Sequence, residues 1–172
     1  MPSRTEPMVT RSASDVVVSA LSLCEDPLRS RKVEIIRDFP METCMVRASG
    51  RELERVLVNL IGNAAKALPA GGRIWVALSH AGSRVVLSVD DDGKGIAPDL
   101  LARLFTPFAT GHAKEGGVGL GLYLCREIAR RHGGDLSAGR SPRGGARFEL
   151  VLPAVSVLAQ SAAPRSEHAL AA

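Results

Sequence analysis

The sequence of 172 residues predicts an α+β fold, a two-layer α/β sandwich. Three longer segments place apolar residues at helical spacing, and two pairs of shorter segments alternate apolar and polar residues across turns. Helices and strands of this kind bury their apolar sides against one another in two layers. We therefore expect a mixed, mostly antiparallel sheet covered on one face by three helices.

The helices are predicted from apolar spacing and from cap residues. The clearest helix covers 51–68, where the apolar positions are Leu53, Val56, Leu57, Leu60, Ile61, Ala64 and Leu68. The first helix covers 15–30, with Ser12 and Asp15 as a capping pair and with Pro27 expected to kink or end it. The third covers 120–132, and a short helix is predicted at 98–105.

The strands are predicted from alternation between turn residues. Apolar side chains alternate in 73–80 and in 85–91, and the other predicted strands are 33–39, 44–47, 136–139 and 147–152. We predict a folded domain over 13–154, a disordered lead-in over 1–12 and a flexible tail over 155–172.

Composition excludes several classes of function. Aromatic residues are only 3% of the chain, which argues against stacking on single-stranded nucleic acid, so no nucleic-acid partner is expected. The three cysteines show no CxxC spacing, which disfavours a zinc site and a disulfide framework and indicates a reducing compartment such as the cytoplasm. No apolar run approaches about 18 residues, so we expect no membrane segment in this chain.

Three polar patterns could carry chemistry. Asn59, Asn63 and Lys66 form one narrow stripe on the predicted helix 51–68, which is either a solvated face or a source of amide oxygens for a hard cation and of charge for a phosphate. Asp91-Asp-Gly-Lys-Gly95 follows a strand, as a turn, a metal site or an acceptor for an exocyclic amine. Gly117–Leu122 opens a helix, as a flexible loop or an anion site.

The order of these patterns along the chain is much more specific than any one of them. Asn59–Ala64, Asp91–Gly95, Phe105–Phe108 and Gly117–Leu122 match the N, first glycine, F and second glycine boxes of a known family. The chain thus resembles the catalytic ATP-binding domain (HATPase_c, GHKL superfamily) of two-component sensor histidine kinases. The resemblance implies a Bergerat-type ATP-binding fold with a lid at roughly 106–118.

The resemblance also implies a role for each matching residue. Asp91 would accept the adenine amino group, Asn63 would coordinate Mg²⁺, and Lys66 would neutralise phosphate charge. Asn59 stands where hydrolysing relatives carry a glutamate, so the site would lack a base for water; Asn59 and Lys66 are the predicted catalytic residues. The other predicted ATP-binding residues are Gly93, Gly95, Ile96, Phe105, Thr110, Gly117, Val118, Gly119, Leu120, Gly121 and Leu122. Ala146 replaces a serine or threonine that often supports the adenine pocket.

The partners follow from the same resemblance. The phosphoryl acceptor would be a histidine on a dimerisation domain, with a response regulator receiver domain downstream. None of the chain's own histidines stands in the acceptor pattern; they are His80, His112, His132 and His168. Two alternatives remain: a serine kinase of the anti-sigma type, and a nucleotide-dependent binding module without transferase activity.

Overall fold

A computed structural model describes residues 6–109 and 119–156. The strands are β1 (Val9–Ser12), β2 (Glu34–Asp38), β3 (Met45–Ala48), β4 (Arg73–Ala81), β5 (Arg84–Asp91), β6 (Asp135–Arg140) and β7 (Ala146–Pro153). The helices are α1 (Ala13–Ser30), α2 (Gly50–Ala67), α3 (Pro98–Leu101) and α4 (Gly121–Arg131). The predicted two-layer α+β sandwich is confirmed.

The main sheet has five strands in the order β2-β4-β5-β7-β6. Only the β2–β4 pair is parallel, and the other three pairs are antiparallel. The predicted alternation holds, because the side chains of Ile74, Val76, Leu78, Val85, Leu87 and Val89 are all buried. The same period of two places Asp91, the last residue of β5, on the inner face of the sheet with them.

The helices cover that inner face. The chain forms α2 where predicted, and each apolar residue named for its buried stripe lies in the core. Helix α2 packs against β4 and β5, α4 packs against β6 and β7, and α1 packs against α2. This arrangement brings the polar flank of α2 and the start of α4 to the end of β5.

The predicted end of helix α1 is right, although Pro27 does not end the helix, and the predicted end of helix α3 is wrong. Helix α1 continues through Pro27 to Ser30, because the buried side chain of Leu28 holds its last turn against the core. Helix α3 ends at Leu101 rather than at 105. After α3, four backbone N–H groups donate to the carbonyl oxygen three residues back, which is the pattern of tight turns; they belong to Arg103, Leu104, Thr106 and Ala109.

The predicted disordered lead-in is wrong for Val9–Ser12. These residues form β1, which pairs antiparallel with β3 from Val9↔Ala48 to Ser12↔Met45. Just before β1, a Glu6 carboxylate oxygen accepts hydrogen bonds from Ser49 Oγ (2.8 Å) and from the backbone N–H of Arg51 (2.9 Å). The partners of this segment lie some forty residues away, so no local pattern signals the pairing.

Within the described ranges, no helix is both long and apolar enough to cross a bilayer.

Candidate functional site

A cavity of about 590 Å³ opens at the end of β5, between the flank of α2, the segment around α3 and the start of α4. Its lining joins three of the four sequence boxes to residues in the segment around α3 and in β7. The lining residues are Asn59, Asn63, Lys66, Ala67, Asp91, Lys94, Gly95, Ile96, Ala97, Asp99, Leu100, Arg103, Leu104, Ala109, Gly119, Leu120, Gly121, Leu122, Ala146 and Phe148.

Asp91 is the buried carboxylate of this cavity, with 1% of the residue exposed. Its Oδ1 atom accepts two backbone hydrogen bonds, from Gly93 N (2.9 Å) and from Ala146 N (3.1 Å). The described residues supply hydrogen bonds to Oδ1 alone, so Oδ2 can accept from a ligand. Ala146 therefore supports Asp91 through its backbone, although its side chain has no hydroxyl.

Burial has the largest effect on the pKa of Asp91. Loss of solvation raises the pKa of its carboxyl above the ordinary value, the Gly93 and Ala146 N–H groups oppose this, and the neighbouring Asp92 and Asp90 add to it. A buried carboxylate with one oxygen facing a cavity is a strong acceptor for a ligand N–H group, because water does not compete well there.

The backbone approaches Asp91 very closely at two glycines. A Cβ atom on Gly93 would lie 2.9 Å from both Asp91 Oδ1 and the carbonyl oxygen of Ala67. A Cβ atom on Gly145 would overlap Asp91 Oδ1 and the Asp91 carbonyl oxygen, and would lie 2.6 Å from Gly93 N. Gly93 was predicted from the sequence. Gly145 was missed, since its contact with Asp91 spans more than fifty residues.

The α2 stripe faces the cavity, with Asn59, Asn63 and Lys66 all in its lining. Asn63 Nδ2 donates a hydrogen bond to Asn59 Oδ1 at 3.1 Å, which leaves Asn63 Oδ1 available as a ligand. Gly121 lies against Asn59, because a Cβ atom there would be 2.6 Å from Asn59 Nδ2. The lack of a side chain at Gly121 thus lets the start of α4 approach the stripe.

These residues fit a magnesium ion held together with phosphate groups. Mg²⁺ prefers hard oxygen ligands and usually takes only one or two from the protein, with the rest from phosphates and water. Asn63 Oδ1 is an oxygen of this kind, and no cluster of three or more metal-binding side chains occurs in 6–109 or 119–156. The site therefore suits a nucleotide-bound magnesium rather than an all-protein metal cage.

The start of α4 offers backbone N–H groups to an anion. Gly119, Leu120, Gly121 and Leu122 line the cavity, and the Leu120 cap residue provides no side-chain hydrogen bond to the first turn. The N–H groups of that turn and the helix dipole favour a phosphate group at this place. Gly119 has a φ of +72° and packs against Phe108, so the residues that flank 110–118 are in contact.

Charged residues that the sequence did not single out also line the cavity. Lys94 and Arg103 add two cations to Lys66, and Asp99 adds a second carboxylate to Asp91. Lys94 lies inside the Asp91–Gly95 motif, so its position was a signal that could have been used. Arg103 and Asp99 carry no comparable local signal.

The other predicted site residues take different places. Gly95 and Ile96 line the cavity, whereas Gly93 acts through its N–H group on Asp91. Phe105 does not line the cavity; its ring lies under the guanidinium of Arg126 at 4.9 Å and packs against the core. Thr110, Gly117 and Val118 lie outside the described residues.

Sequence comparisons place the chain in a known protein family. The profile of the family described as histidine kinase-, DNA gyrase B- and HSP90-like ATPase (HATPase_c) matches residues 48–156. The alginate biosynthesis sensor protein KinB of Pseudomonas aeruginosa is 37% identical over 124 residues, which cover 72% of this chain and 21% of KinB. The sensor protein KdpD of Escherichia coli K12 is 37% identical over 156 residues, or 90% of this chain and 16% of KdpD.

A third relative is the sensor histidine kinase ZraS of Salmonella typhimurium, 36% identical over 149 residues, which cover 86% of this chain and 31% of ZraS. The chain thus spans between 16% and 31% of the length of these three curated relatives.

Solved structures agree as well. The catalytic domain of histidine kinase ThkA superposes with a TM-score of 0.77 at 26% identity, over 85% of this chain and 95% of that domain. Full-length ShkA in complex with AMPPNP superposes with a TM-score of 0.74 at 27% identity, over 88% of this chain and 32% of ShkA. The chain therefore belongs to the histidine kinase-, DNA gyrase B- and HSP90-like ATPase family, and within it to the catalytic ATP-binding domains of two-component sensor histidine kinases.

Proposed function

We propose that this domain binds ATP with Mg²⁺ and holds the γ-phosphoryl group for transfer to a histidine on a dimerisation domain, from which a response regulator receiver domain takes it. The observation that carries the proposal is the cavity itself. It places a buried carboxylate at one part of its wall and an amide and ammonium stripe with a helix start at another.

Adenine is the base that suits the Asp91 end of the cavity. Oδ2 of Asp91 accepts a hydrogen bond from the exocyclic amino group, while the half-buried Ile96 and the buried Phe148 supply apolar surface for the ring. Gly95 also lines the cavity, and its φ of +76° strains any residue with a side chain at this position.

The triphosphate suits the opposite part of the lining. The N–H groups at the start of α4 and the ammonium group of Lys66 compensate the phosphate charge. Asn63 Oδ1 would hold Mg²⁺, and the ion would neutralise part of the phosphate charge. These residues orient the terminal phosphoryl group rather than react with it.

The site favours transfer over hydrolysis. Asn59 has no basic oxygen that can take a proton from water, and its amide is engaged with Asn63. Without a base on this flank, we expect slow hydrolysis of the bound nucleotide. The γ-phosphoryl group then remains available for a stronger nucleophile such as a histidine.

The described histidines of the chain do not suit the acceptor role. The ring of His132 is buried: Nε2 accepts from Ser49 N at 3.1 Å and Nδ1 donates to the carbonyl oxygen of Ile128 at 2.8 Å. His80 lies six residues along β4 from Ile74, the partner of Asp91, which is about 20 Å along a strand. An acceptor on another domain is therefore the better proposal.

A phosphotransfer assay tests the proposal. The domain is incubated with γ-labelled ATP and Mg²⁺ together with dimerisation-domain fragments of sensor histidine kinases, and the products are treated with acid and with base. We expect an acid-labile, base-stable phosphoramidate on the fragment, which Asp91→Asn prevents. Label that stays on ATP, or an acid-stable phosphoserine on a partner, would contradict histidine as the acceptor.

A further inference from the structure

We propose that the turn between β6 and β7, residues 141–145, is a positioning element for the Asp91 carboxylate, and that Gly145 makes the recognition of adenine possible. The inference rests on the proposed function, since it assumes that Asp91 Oδ2 meets the base. It concerns residues outside the four sequence boxes.

Gly145 is buried directly beside Asp91. Its N–H group donates to the Asp91 carbonyl oxygen at 3.1 Å, and the next residue, Ala146, donates its N–H to Asp91 Oδ1 at 3.1 Å. A side chain at 145 would overlap both of these oxygens. Only glycine therefore allows the turn to reach the carboxylate closely enough for both hydrogen bonds.

The turn is held rigidly by its own hydrogen bonds. Ser141, which is 3% exposed, donates its N–H to the carbonyl oxygen of Gly145 (2.9 Å) and accepts from Gly144 N (3.0 Å) at its own carbonyl. Its hydroxyl oxygen accepts from Arg143 N at 3.0 Å. The turn is thus closed at both ends, and Gly145 has a fixed position relative to β5.

Arg143 contacts the opposite face of the sheet from this turn. Its guanidinium lies 4.9 Å from the ring centre of Trp75, which belongs to β4 and pairs with Asp90. The turn therefore wraps around the end of β5. It contacts Trp75 on the open face and Asp91 on the inner face.

The consequence for Asp91 is an assignment of its two oxygens. Gly93 and Ala146 satisfy Oδ1 from the protein side, so that Oδ2 is the oxygen directed to a ligand. A shift of the turn would weaken the bond to Ala146 and let the carboxylate rotate, because hydrogen bonds weaken steeply when their angle is lost. The first property to suffer would be discrimination at the base, not general affinity for phosphate.

The experiment compares two nucleotides on each variant. Dissociation constants are measured for ATP and for purine riboside triphosphate, which lacks the 6-amino group, both with Mg²⁺. Their ratio reports the base contact, whereas a general defect in the cavity changes both constants together. For the wild type we expect ATP to bind about 5- to 150-fold more tightly.

Gly145→Ala is the first variant, and Gly139→Ala on β6 is its matched control, because a Cβ atom on Gly139 meets nothing within 4 Å. We expect the ratio to fall close to one in Gly145→Ala and to remain at the wild-type value in Gly139→Ala. A wild-type ratio in folded Gly145→Ala would overturn the inference.

Arg143→Ala is the second variant, and it decides the question if Gly145→Ala does not fold. Arg140→Ala is its control, since Arg140 is an exposed arginine at the other end of the same turn. We expect the ratio to fall about two- to fivefold in Arg143→Ala only, the scale of an exposed cation–π contact. Equal ratios in Arg143→Ala and the wild type would overturn the role of the turn.

The outcomes separate the two proposals. If the wild type itself does not distinguish the two nucleotides, the proposed contact between Asp91 and adenine fails, and the inference fails with it. If the wild type distinguishes them and the turn variants do so equally well, only the positioning role fails and the proposed function stands.

Discussion

At the scale of single residues, the most consequential feature is a carboxylate buried on the inner face of the sheet. Asp91 occupies a position that the alternation of β5 would otherwise give to an aliphatic residue. Its neighbour Asp90 faces the other side and is satisfied there by Arg147. The two adjacent aspartates thus lie on opposite faces of the sheet, Asp91 at the cavity and Asp90 beside Arg147.

Asp91→Asn is expected to stabilise the nucleotide-free domain at neutral pH. Because the folded-state pKa of Asp91 is raised, its contribution to stability is present below the unfolded value of 3.8 and is lost as the pH rises through the folded pKa. Asparagine keeps the acceptor oxygen for Gly93 and Ala146 and carries no charge. The excess of its unfolding temperature over that of wild type should grow from pH 4 to pH 7.

Asp92→Asn is the matched control for that measurement. Partial burial raises the pKa of Asp92, but the Arg73 backbone N–H and guanidinium outweigh it, so the pKa is lowered from 3.8. The stability that Asp92 contributes is present above pH 3.8 and is lost in acid. The unfolding temperature of Asp92→Asn should therefore fall below that of wild type as the pH rises, which is the opposite of the trend for Asp91→Asn. The same pH dependence for both variants would contradict the account of Asp91.

Arg147 illustrates a charge pair on the open face of the sheet. Its Nε and Nη2 atoms donate to the two oxygens of Asp90 at 2.7 and 2.9 Å, and the Asp90 side chain is only 4% exposed. Arg147→Met leaves that carboxylate buried without a partner, and we expect a loss of roughly 1.5–3 kcal/mol of unfolding free energy.

The double variant Asp90→Asn, Arg147→Met tests the reason for this loss. Because it removes both charges, denaturant unfolding should show a smaller loss than in Arg147→Met alone. A loss at least as large in the double variant would show that Arg147 acts by packing instead.

At the scale of elements, the start of α2 is the most heavily supported helix end in the described chain. Ser49 Oγ accepts from Glu52 N (3.3 Å) and donates to the Glu6 carboxylate, while Ser49 N donates to His132. This end joins the segment before β1 to the last turn of α4. Since α2 carries Asn59, Asn63 and Lys66, the same contacts help to fix the position of this polar stripe in the cavity wall.

Ser49→Ala should lower the free energy of unfolding more than Ser12→Ala. Both serines cap a helix, and in both the hydroxyl oxygen lies 3.3 Å from the capped backbone nitrogen. Ser12 Oγ only accepts from Asp15 N (3.3 Å), whereas Ser49 is fully buried and also binds Glu6. We expect losses of about 0.5–1 kcal/mol for Ser12→Ala and about 1–2 kcal/mol for Ser49→Ala in denaturant unfolding. Equal losses would contradict the role of Glu6.

The elements themselves were largely predictable from the sequence. Each strand in the main sheet lies within one residue of its predicted range, because period two and turn residues are local signals. Strand β1 was not predictable, since it forms only by pairing with β3. The Glu6 side chain just before it likewise bonds to Ser49, which is distant in sequence. The short α3 was overestimated because its apolar spacing continues beyond the last helical hydrogen bond.

At the scale of the whole molecule, the site is assembled from parts that are distant in sequence. The predicted site residues make up half of the cavity lining, because three of the boxes lie on elements whose ends meet at one edge of the sheet. It did not predict Gly145 or the contact of Arg143 with Trp75, since these depend on how the β6–β7 turn crosses β5. Such register and crossing are set by tertiary packing.

The most direct test of the account is an isothermal titration of the domain with a nonhydrolysable ATP analogue. We expect saturable binding at one site, weakened when Mg²⁺ is withheld, and reduced about 5- to 150-fold by Asp91→Asn with the fold intact. The absence of binding, or equal affinity in the wild type and Asp91→Asn, would contradict it.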